Sequence, residues 1–378
     1  MSEPIRVLQL FTIMNMGGAE TMIMNYYRNI DRSKVQFDFM VHRSERGVYD
    51  DEIKALGGKI YRMIPIYPKN FSKYKKMVSD FFDEHPEYKI VHSNMSELGY
   101  YVFKEAKKRG IPCLVCHAHN APAGKMSLKD NAKMIFRNRW KKKIVPLATD
   151  YFMCGYTSGL WLFGKEHENE FVQFNNAIDA QKFTYNPETR DRIREELEIE
   201  NKFVIGHVGR FADQKNHTFL VDIFSEVAKQ RDDAVLIMCG AGDKTKIKEK
   251  VASLNLTDKV LFLEPRQDIY NLVQGFDAFV LPSLFEGLGI VLIEAQAAGL
   301  QCFTSADVVP DEPNITDLLT YIPLSDGAKR WADIIIDKAS DYERKNTYDT
   351  ILKAGFDIKG NAKWLEEFYI KKYGENRC

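Results

Sequence analysis

Several kinds of segment are missing from this 378-residue sequence. No apolar run reaches the ~18 residues of a membrane-spanning helix, and no basic stretch at the amino terminus leads into a long hydrophobic one, so we expect neither a transmembrane helix nor a secretion signal. The formal net charge is zero, which argues against a nucleic-acid-binding protein with an overall positive field. Only six cysteines occur, most of them in apolar strand-like runs, and this is typical of a reducing, cytoplasmic compartment.

The cysteines also make a structural zinc site unexpected. Cys113 and Cys116 have a C-x-x-C spacing, but in an extended strand residues three apart point to opposite faces. No second pair of ligands follows at the spacing of a zinc motif. We therefore expect no metal.

The composition and the alternation of apolar segments define the fold class. Hydrophobic residues (45%) and charged residues (28%) occur at ordinary globular levels, and the length favours two domains. Strand-like runs alternate with helical stretches in two series, which predicts two α/β units with parallel sheets. The strands are expected at 5–12, 35–41, 59–64, 89–92, 112–117, 151–154 and 171–174, then at 203–208, 234–239, 260–263, 278–281 and 301–304. A polar, turn-rich segment places the crossing near residue 176, and a last helix is expected over 361–373.

Charge is unevenly distributed along the chain. Residues 1–170 contain 27 Lys and Arg against 19 Asp and Glu, whereas the remaining residues contain 26 against 34. In the basic half, cations recur along one predicted helix: Lys125, Lys129, Lys133, Arg137 and Lys141, extended by Arg139, Lys142 and Lys143. Such a helix can lie on anionic lipid headgroups or receive an acceptor phosphate, and a solvated outer helix is the alternative.

Two segments of the first half carry candidate site residues. Gly17 and Gly18 precede a helix beginning near Ala19, and free amides at a helix start attract phosphate or hydroxyl groups, although a tight turn alone would explain the pair. His117 and His119 lie two residues apart, on the same side of an extended strand. We expect a substrate contact from His119; a packing role is the alternative, and no carboxylate or third histidine lies nearby in sequence to complete a metal site.

The second half carries the sharper signal. Arg210 and Lys215 follow a strand around a polar turn, so two cations can reach one pyrophosphate without a metal. Glu286 and Glu294 accompany a helix predicted to begin near Gly289. Eight helical steps span about 12 Å, so these acids cannot share one bond but can bind two parts of a nucleotide sugar. An unpaired acid at Glu294 inside an apolar run also favours a functional role. The amides expected to bind phosphate belong to Gly287, Leu288, Gly289 and Ile290.

Five segments taken together carry a family resemblance: GGAE, HAHN, NNAID, GRFADQKN and PSLFEGLGIVLIEAQAAG. They resemble the retaining glycosyltransferases of family four over nearly the whole chain, and the ending SADVVPDEPNIT is most similar to the capsular and exopolysaccharide branch. The resemblance implies the α/β GT-B fold, with two Rossmann-like domains facing across a cleft. The acceptor-binding domain would span 1–175, the nucleotide-sugar-binding domain 176–355, and a C-terminal helix packing back on the body 356–378.

The resemblance also implies roles for individual residues. The catalytic residues would be His119, which contacts the donor sugar, Arg210 and Lys215, which bind the pyrophosphate, and Glu286, which holds the sugar. Glu294 would bind the ribose. The other residues expected on the donor or its phosphates are Gly17, Gly18, Gly209, Gly287, Leu288, Gly289 and Ile290. Those expected on the acceptor or membrane side are Glu20, His117, Asn120, Arg137 and Arg139.

The implied reaction retains the anomeric configuration, the leaving phosphate itself helping to take the acceptor proton, with no cofactor. The donor would be a UDP-sugar, and the acceptor would be a glycan or lipid-linked glycan of cell-surface polysaccharide synthesis. The enzyme would act in the cytoplasm, at the inner face of the membrane, and would bind no nucleic acid. Three departures from the family pattern are Ala177, Gln214 and Glu264, the last of which bears on base recognition. The alternatives are a nucleotide-sugar epimerase or sugar phosphorylase of the same architecture, and a non-catalytic nucleotide-sugar-binding protein.

Overall fold

The computed structural model describes residues 3–119, 137–306 and 308–375, and the chain divides into two compact units. The first unit contains Met1–Ala177 together with Ile358–Cys378, and the second contains Ile178–Asp357. The chain enters and leaves the second unit side by side, because Ile178 and Asp357 form a parallel bridge. These boundaries lie close to the limits of 175 and 355 expected from the sequence.

The first unit is built on a seven-stranded parallel sheet with the order β3-β2-β1-β4-β5-β6-β7. Every residue of the second strand is buried, including the polar Gln36 and Asp38, and its other five residues are apolar, as is typical of a strand covered on both faces. The strands are β1 (Ile5–Phe11), β2 (Val35–Val41), β3 (Ile60–Arg62), β4 (Ile90–Ser93), β5 (Cys113–Ala118), β6 (Asp150–Met153) and β7 (Phe171–Gln173).

Helices follow the strands of the first unit and supply the crossovers that parallel pairing requires. They are α1 (Gly18–Asn29), α2 (Asp50–Ala55), α3 (Phe71–Glu84), α4 (Tyr100–Lys108), α5 (137–144, within the described residues) and α6 (Tyr156–Phe163). Short 3₁₀ turns occur at Pro68–Asn70, Ser96–Gly99, Val145–Leu147 and Lys165–Glu170.

Two hydrophobic clusters cover the two faces of this sheet. Phe37 and Cys113 belong to one cluster, and Leu114 and Cys116 belong to the other. Cys113 and Cys116 therefore point to opposite faces, as the alternation of side chains along a strand predicts.

The second unit repeats the same design with a six-stranded parallel sheet of order β10-β9-β8-β11-β12-β13. Its strands are β8 (Phe203–Val208), β9 (Ala234–Cys239), β10 (Val260–Leu263), β11 (Ala278–Leu281), β12 (Gln301–Ser305) and β13 (Leu319–Ile322). The sequence did not reveal β13, a short strand at the sheet edge in which three of the four residues are only half-buried.

Helices alternate with these strands as well. They are α7 (Ala180–Phe183), α8 (Pro187–Glu196), α9 (His217–Gln230), α10 (Thr245–Ser253), α11 (Ile269–Leu272), α12 (Ile290–Ala297), α13 (Gly327–Ala339) and α14 (Tyr348–Lys353). Short 3₁₀ turns occur at Asp213–Lys215, Thr257–Lys259, Val273–Gly275 and Leu324–Asp326.

The last helix, α15 (Ile358–Gly374), belongs to the first unit although the second unit precedes it in the chain. Leu365 and Tyr369 are buried in the same cluster as Tyr26 of α1, so α15 completes one face of the first core. Within the part of the chain that the structure describes, neither α15 nor any other helix combines the length and apolar character needed to cross a membrane.

The strand order fixes where ligands can bind. β1 lies between β2 and β4, and β8 lies between β9 and β11, so in each sheet the order of strands reverses at that point. Open parallel sheets bind ligands outside the carboxyl ends of the strands at such a reversal. The segments that follow β1, β4, β8 and β11 are therefore the places where a functional site is expected.

Candidate active site

The segment after β8 carries the first candidate cation. Arg210 is exposed, and its side chain forms no ion pair or hydrogen bond with any described residue. Gly209 precedes it; a Cβ there would lie 3.0 Å from His207 Nε2 and 3.4 Å from the Lys215 stem, so a larger residue would displace Lys215. The turn thus leaves the Arg210 guanidinium available to an anion.

Lys215 and Glu286 come together although 71 residues separate them. Lys215 Nζ donates to Glu286 Oε1 at 2.6 Å, and the two side chains are 16% and 6% exposed. Ser283 Oγ donates to the same oxygen at 2.6 Å. The mostly buried carboxylate is therefore held in one orientation, whereas its Oε2 has, among the residues that the structure describes, only a 3.4 Å contact with Gln214 Nε2.

The three departures from the family pattern have different surroundings. Gln214 also donates to the Phe285 carbonyl at 3.0 Å, and its amide next to the Glu286 carboxylate avoids the like-charge repulsion that an acid would introduce there. Glu264 extends into solvent, with 85% of its side chain exposed, and pairs with Lys244 Nζ at 2.6 Å. Ala177 is buried in the first hydrophobic cluster.

The start of α12 has a backbone geometry that can bind an anion. Gly289 precedes the helix with φ of +71°, a left-handed conformation that favours glycine, and no side chain caps the helix. The amides of Gly287, Leu288, Gly289 and Ile290 donate to no group among the described residues. Uncapped amides at the positive end of a helix dipole attract phosphate. Because the helix begins only at Ile290, Glu286 lies outside it, and the eight-step helical spacing predicted between the two acids does not apply.

Glu294 lies one turn into α12 and is only partly exposed. Its neighbours Ile293 and Ala295 are fully buried, and its carboxylate forms no hydrogen bond or ion pair with the described part of the chain. Burial raises the pKa of Glu294 to about 7. A desolvated carboxylate without a donor is costly to the fold, which points to a ligand that supplies the missing donors.

Two histidines beside this site were not predicted from the sequence. His207 in β8 donates from Nδ1 to the Val280 carbonyl at 2.8 Å, while its Nε2 and that of His217 are buried without a partner among the described residues. The two rings meet edge to face with centroids 4.6 Å apart. Burial lowers the pKa of His217 to about 4 and that of His207 well below its usual range, so both are neutral at pH 7. A lone histidine in an apolar strand gives no sequence signal for such a pair.

In the first unit, the predicted glycine turn adjoins an acid. Gly17 precedes α1, and the Glu20 carboxylate lies against it, because a Cβ at Gly17 would lie 2.2 Å from Glu20 Oε2. Burial raises the pKa of Glu20. Gly18 is the first residue of the helix, with open space where a Cβ would stand.

The strand-end histidines form a cluster with a residue that the sequence did not single out. His117 Nε2 and His119 Nδ1 both contact Cys154 Sγ, at 3.2 and 3.3 Å. The three ligand-type atoms lie within 4.8 Å of one another, and thiol and imidazole suit zinc, so this is the group in the described residues that could hold a metal. The absence of a metal stays a prediction. Cys154 was missed because it follows the next strand, 35 residues after His119.

The predicted acceptor-side cations are only partly described. Arg137 in α5 donates from Nε to the buried carboxylate of Glu97, and its guanidinium lies 5.2 Å from the centre of the Trp161 ring. Its charge is therefore largely neutralised by contacts within the first unit. Arg139 is exposed. Asn120, Lys125, Lys129 and Lys133 lie outside the described residues.

The structure therefore brings together Lys215 with Glu286, and His117 with His119. Arg210, the amides before α12 and Glu294 follow the same strand ends of the second unit. Gly17, Gly18, Glu20 and the histidines lie in the first unit.

Comparison with known proteins supports the family suggested by the motifs. The model of the family described as "Glycosyl transferases group 1" matches residues 189–318, within the second unit. The putative glycosyltransferase EpsF of Bacillus subtilis (strain 168) is 34% identical over 371 residues, which cover 96% of each chain. An Escherichia coli enzyme named UDP-Gal:alpha-D-GlcNAc-diphosphoundecaprenol alpha-1,3-galactosyltransferase is 27% identical over 286 residues, 71% of this chain and 72% of that one. The capsular polysaccharide biosynthesis glycosyltransferase CapH of Staphylococcus aureus is 22% identical over 388 residues, 97% and 99% of the two chains.

Among solved structures, HepE from Anabaena in complex with UDP matches with a TM-score of 0.77 and 17% identity, covering 97% of this chain and 100% of that chain. A likeness at this identity shows the fold, and it confirms the predicted pair of Rossmann-like domains of the GT-B class. Because EpsF exceeds 30% identity over nearly the whole chain, the protein belongs to the group 1 glycosyltransferases, in the branch that contains EpsF and CapH.

Proposed function

We propose that the protein is a retaining, metal-independent glycosyltransferase that moves a sugar from a UDP-sugar to a glycan or lipid-linked acceptor in cell-surface polysaccharide synthesis. The observation that carries the proposal is Glu294, a poorly hydrated carboxylate that lacks a donor among the described residues and lies one turn inside a helix with free amides at its start. UDP in the names of the galactosyltransferase and of the HepE complex supports uridine as the carrier.

In the proposed complex, the donor extends along the carboxyl ends of β8 and β11. Its pyrophosphate lies against the amides of 287–290, with Arg210 and Lys215 as counter-charges. The ribose hydroxyls donate to Glu294 and satisfy its carboxylate. The sugar lies toward Glu286, whose Oε2 has one long contact within the described part of the chain and can accept from a hydroxyl.

Charge stabilisation by these groups can account for the chemical step. As the glycosidic bond breaks, negative charge grows on the departing diphosphate, where two cations and a helix start stabilise it most strongly. The leaving phosphate takes the acceptor proton.

The acceptor is assigned to the first unit, on the side of Gly17, Glu20 and the α5 cations. The diphosphoundecaprenol in the name of the E. coli relative and the capsular role in the name of CapH support a lipid-linked or glycan acceptor. Such an acceptor would bring the enzyme to the inner face of the membrane, where the exposed Arg139 can meet anionic headgroups.

A panel of nucleotides tests the carrier. We expect UDP to raise the unfolding temperature more than ADP, GDP or CDP, because a ligand at a hundred times its dissociation constant adds about 2.7 kcal/mol to the free energy of unfolding. Turnover then separates the alternatives. A transferase releases UDP from a UDP-sugar only with acceptor present, an epimerase converts the UDP-sugar alone, a phosphorylase requires inorganic phosphate, and a sensor binds without turnover. Stabilisation by no nucleotide would contradict the proposal.

A further inference from the structure

The strand-end histidines and Cys154 meet because β5 and β6 are neighbouring strands in a fixed register. Ala118 pairs with Met153 across the two parallel strands, and the Cys154 amide donates to the Ala118 carbonyl at 3.0 Å. His119 and Cys154 follow this pair, so they lie side by side at the carboxyl edge of the sheet. His117 lies on the same face as His119, because side chains alternate along a strand.

The spacing of the three ligand-type atoms is close to that of a tetrahedral zinc site. Cys154 Sγ lies 3.2 Å from His117 Nε2 and 3.3 Å from His119 Nδ1, and all three atoms lie within 4.8 Å of one another. Zinc binds nitrogen at about 2.0–2.1 Å and thiolate sulfur at about 2.3 Å, which places tetrahedral nitrogen and sulfur ligands about 3.5 Å apart. A movement of the sulfur by about 0.3 Å therefore makes room for the ion.

His119 is oriented by a hydrogen bond on its far side. Its Nε2 lies 3.0 Å from Asn94 Oδ1, and the Asn94 amide group donates to Gln9 Oε1 at 3.0 Å. The carbonyl oxygen of Asn94 can only accept, so the His119 proton is on Nε2 and the lone pair of Nδ1 faces the sulfur. Histidines that bind metals are typically held in this way, by a hydrogen bond from the second ring nitrogen to an oxygen.

His117 has a comparable partner on its far side. Its Nδ1 lies 3.4 Å from His92 Nε2, and His92 Nδ1 lies 2.6 Å from the Tyr369 hydroxyl oxygen. When His117 Nδ1 donates to His92, and His92 Nδ1 donates to Tyr369, the lone pair of His117 is on Nε2, the atom that contacts the sulfur. Both imidazoles can thus present a lone pair to one point beside Cys154.

The surroundings of the cluster favour a borderline or soft ion. Met22 Sδ lies 3.9 Å from Cys154 Sγ, and the described residues add no fourth His, Cys, Asp or Glu to the group. Imidazole and thiolate ligands suit Zn²⁺, whereas Mg²⁺ and Ca²⁺ prefer oxygen ligands. His119 and Cys154 are partly exposed, so an ion can reach the cluster from the solvent.

We propose that His117, His119 and Cys154 bind one Zn²⁺ ion, with water as the fourth ligand. Binding forms one bond from zinc to sulfur and two bonds from zinc to nitrogen, and the Cys154 thiol releases its proton to the solvent. The expectation of no metal considered spacing along the chain, which does not reveal that Cys154 lies beside His119. The inference goes beyond the proposed function. The transfer chemistry proposed above uses groups of the second unit, so the protein without zinc should still transfer sugar.

Titration of the reduced, full-length protein with Co²⁺ tests the ligand set. Cobalt binds at zinc sites and reports its ligands through its absorption spectrum. We expect one equivalent of Co²⁺ to produce a thiolate-to-cobalt charge-transfer band together with the intense d–d bands of tetrahedral coordination. One equivalent of Zn²⁺ should remove these bands, whereas an excess of Mg²⁺ should leave them unchanged. A wild-type protein that shows no thiolate-to-cobalt band would overturn the inference.

Three variants assign the bands to the cluster. C154S should lose the charge-transfer band, because a serine hydroxyl does not replace the thiolate. H119Q should weaken Zn²⁺ binding at least about a hundredfold, since loss of an outer hydrogen-bond partner alone typically costs about 10–100-fold in metal affinity. C113S, which removes another buried cysteine of the first unit, is the matched control and should keep both the band and the affinity.

Circular dichroism and the unfolding temperature show whether each variant is folded. A charge-transfer band of wild-type intensity in folded C154S, or wild-type Zn²⁺ affinity in folded H119Q, would refute the proposed ligands. If C154S does not fold, the wild-type titration and H119Q still decide the question. None of these measurements uses sugar transfer, so failure of the transferase proposal would leave the result on zinc unaffected.

Discussion

Replacing Glu294 by glutamine removes one charge and keeps the shape of the side chain. The pKa of this carboxyl rises from about 4.5 to about 7 on folding because burial penalises its charged form. Between these two values the folded protein retains a proton that the unfolded chain has lost, so the free energy of unfolding falls as the pH rises through this window. Glutamine does not titrate, and E294Q should lack this decrease.

The size of the effect follows from the shift. About 2.5 pKa units correspond to about 3 kcal/mol, and the partial exposure of Glu294 reduces this to about 1–3 kcal/mol. E294Q should therefore be more stable than the wild type at pH 8, by roughly 2–10 °C in unfolding temperature, and equal to it near pH 4. It should also lose sugar transfer, because an amide cannot accept from two ribose hydroxyls as a carboxylate does.

Binding of UDP supplies a second measurement. Ribose hydroxyls donate best to the ionised carboxylate, so the wild-type affinity should fall about tenfold from pH 8 to pH 6. E294Q serves as the reference for the nucleotide's own titration, and E249Q, at an exposed acid of the same unit, controls for loss of a charge. Equal pH profiles for wild type and E294Q, or wild-type turnover in E294Q, would refute the assignment of Glu294 to the donor.

Three further substitutions and one treatment test the rest of the donor site. K215A should reduce transfer at least a hundredfold, because it removes a cation that binds the pyrophosphate. It should also lower the free energy of unfolding by about 1–3 kcal/mol, because Glu286 stays mostly buried without its ion pair. K229A removes an exposed lysine and is the matched control; equal turnover in K215A and K229A would contradict the role of Lys215 in binding the pyrophosphate. Q214E places a second carboxylate 3.4 Å from Glu286, and the repulsion between the two charges should weaken the binding of UDP-glucose. An unchanged affinity for UDP-glucose would contradict this prediction. G289A should cost about 1–2 kcal/mol at φ of +71° and weaken UDP binding, whereas unchanged unfolding and binding would show that the turn is not strained by a Cβ. EDTA should leave transfer unchanged, and restoration of lost activity by a divalent cation would contradict metal independence.

The sequence allowed much of the fold to be predicted for an identifiable physical reason. Strands buried on both faces, such as β9 and β11, are continuous apolar runs, and such runs can be recognised in the sequence without knowledge of the neighbouring strands. The edge strand β13 is only four residues long and has only one buried residue, and it was missed.

The candidate site was predicted best where its residues are close in sequence. Glu286, Gly289 and Glu294 belong to one segment, so their order along the chain is enough to indicate their chemistry. The link between Lys215 and Glu286 and the participation of Cys154 depend on which strands are adjacent in the sheet, and spacing along the chain carries no information about that. The ion pair between Arg137 and the buried Glu97 could not be predicted for the same reason. The row of cations along α5 therefore suggested more unpaired positive charge than the structure shows at Arg137.

The position of α15 has a consequence for synthesis. The first unit takes its final helix from residues 358–374, after the chain has passed through the whole second unit. During translation, the N-terminal sheet must therefore remain without this cover, and without Tyr369, while about 180 further residues emerge from the ribosome. The second unit, whose segment is continuous, can fold first, and a premature stop near the carboxyl terminus would damage the part of the protein that was made earliest.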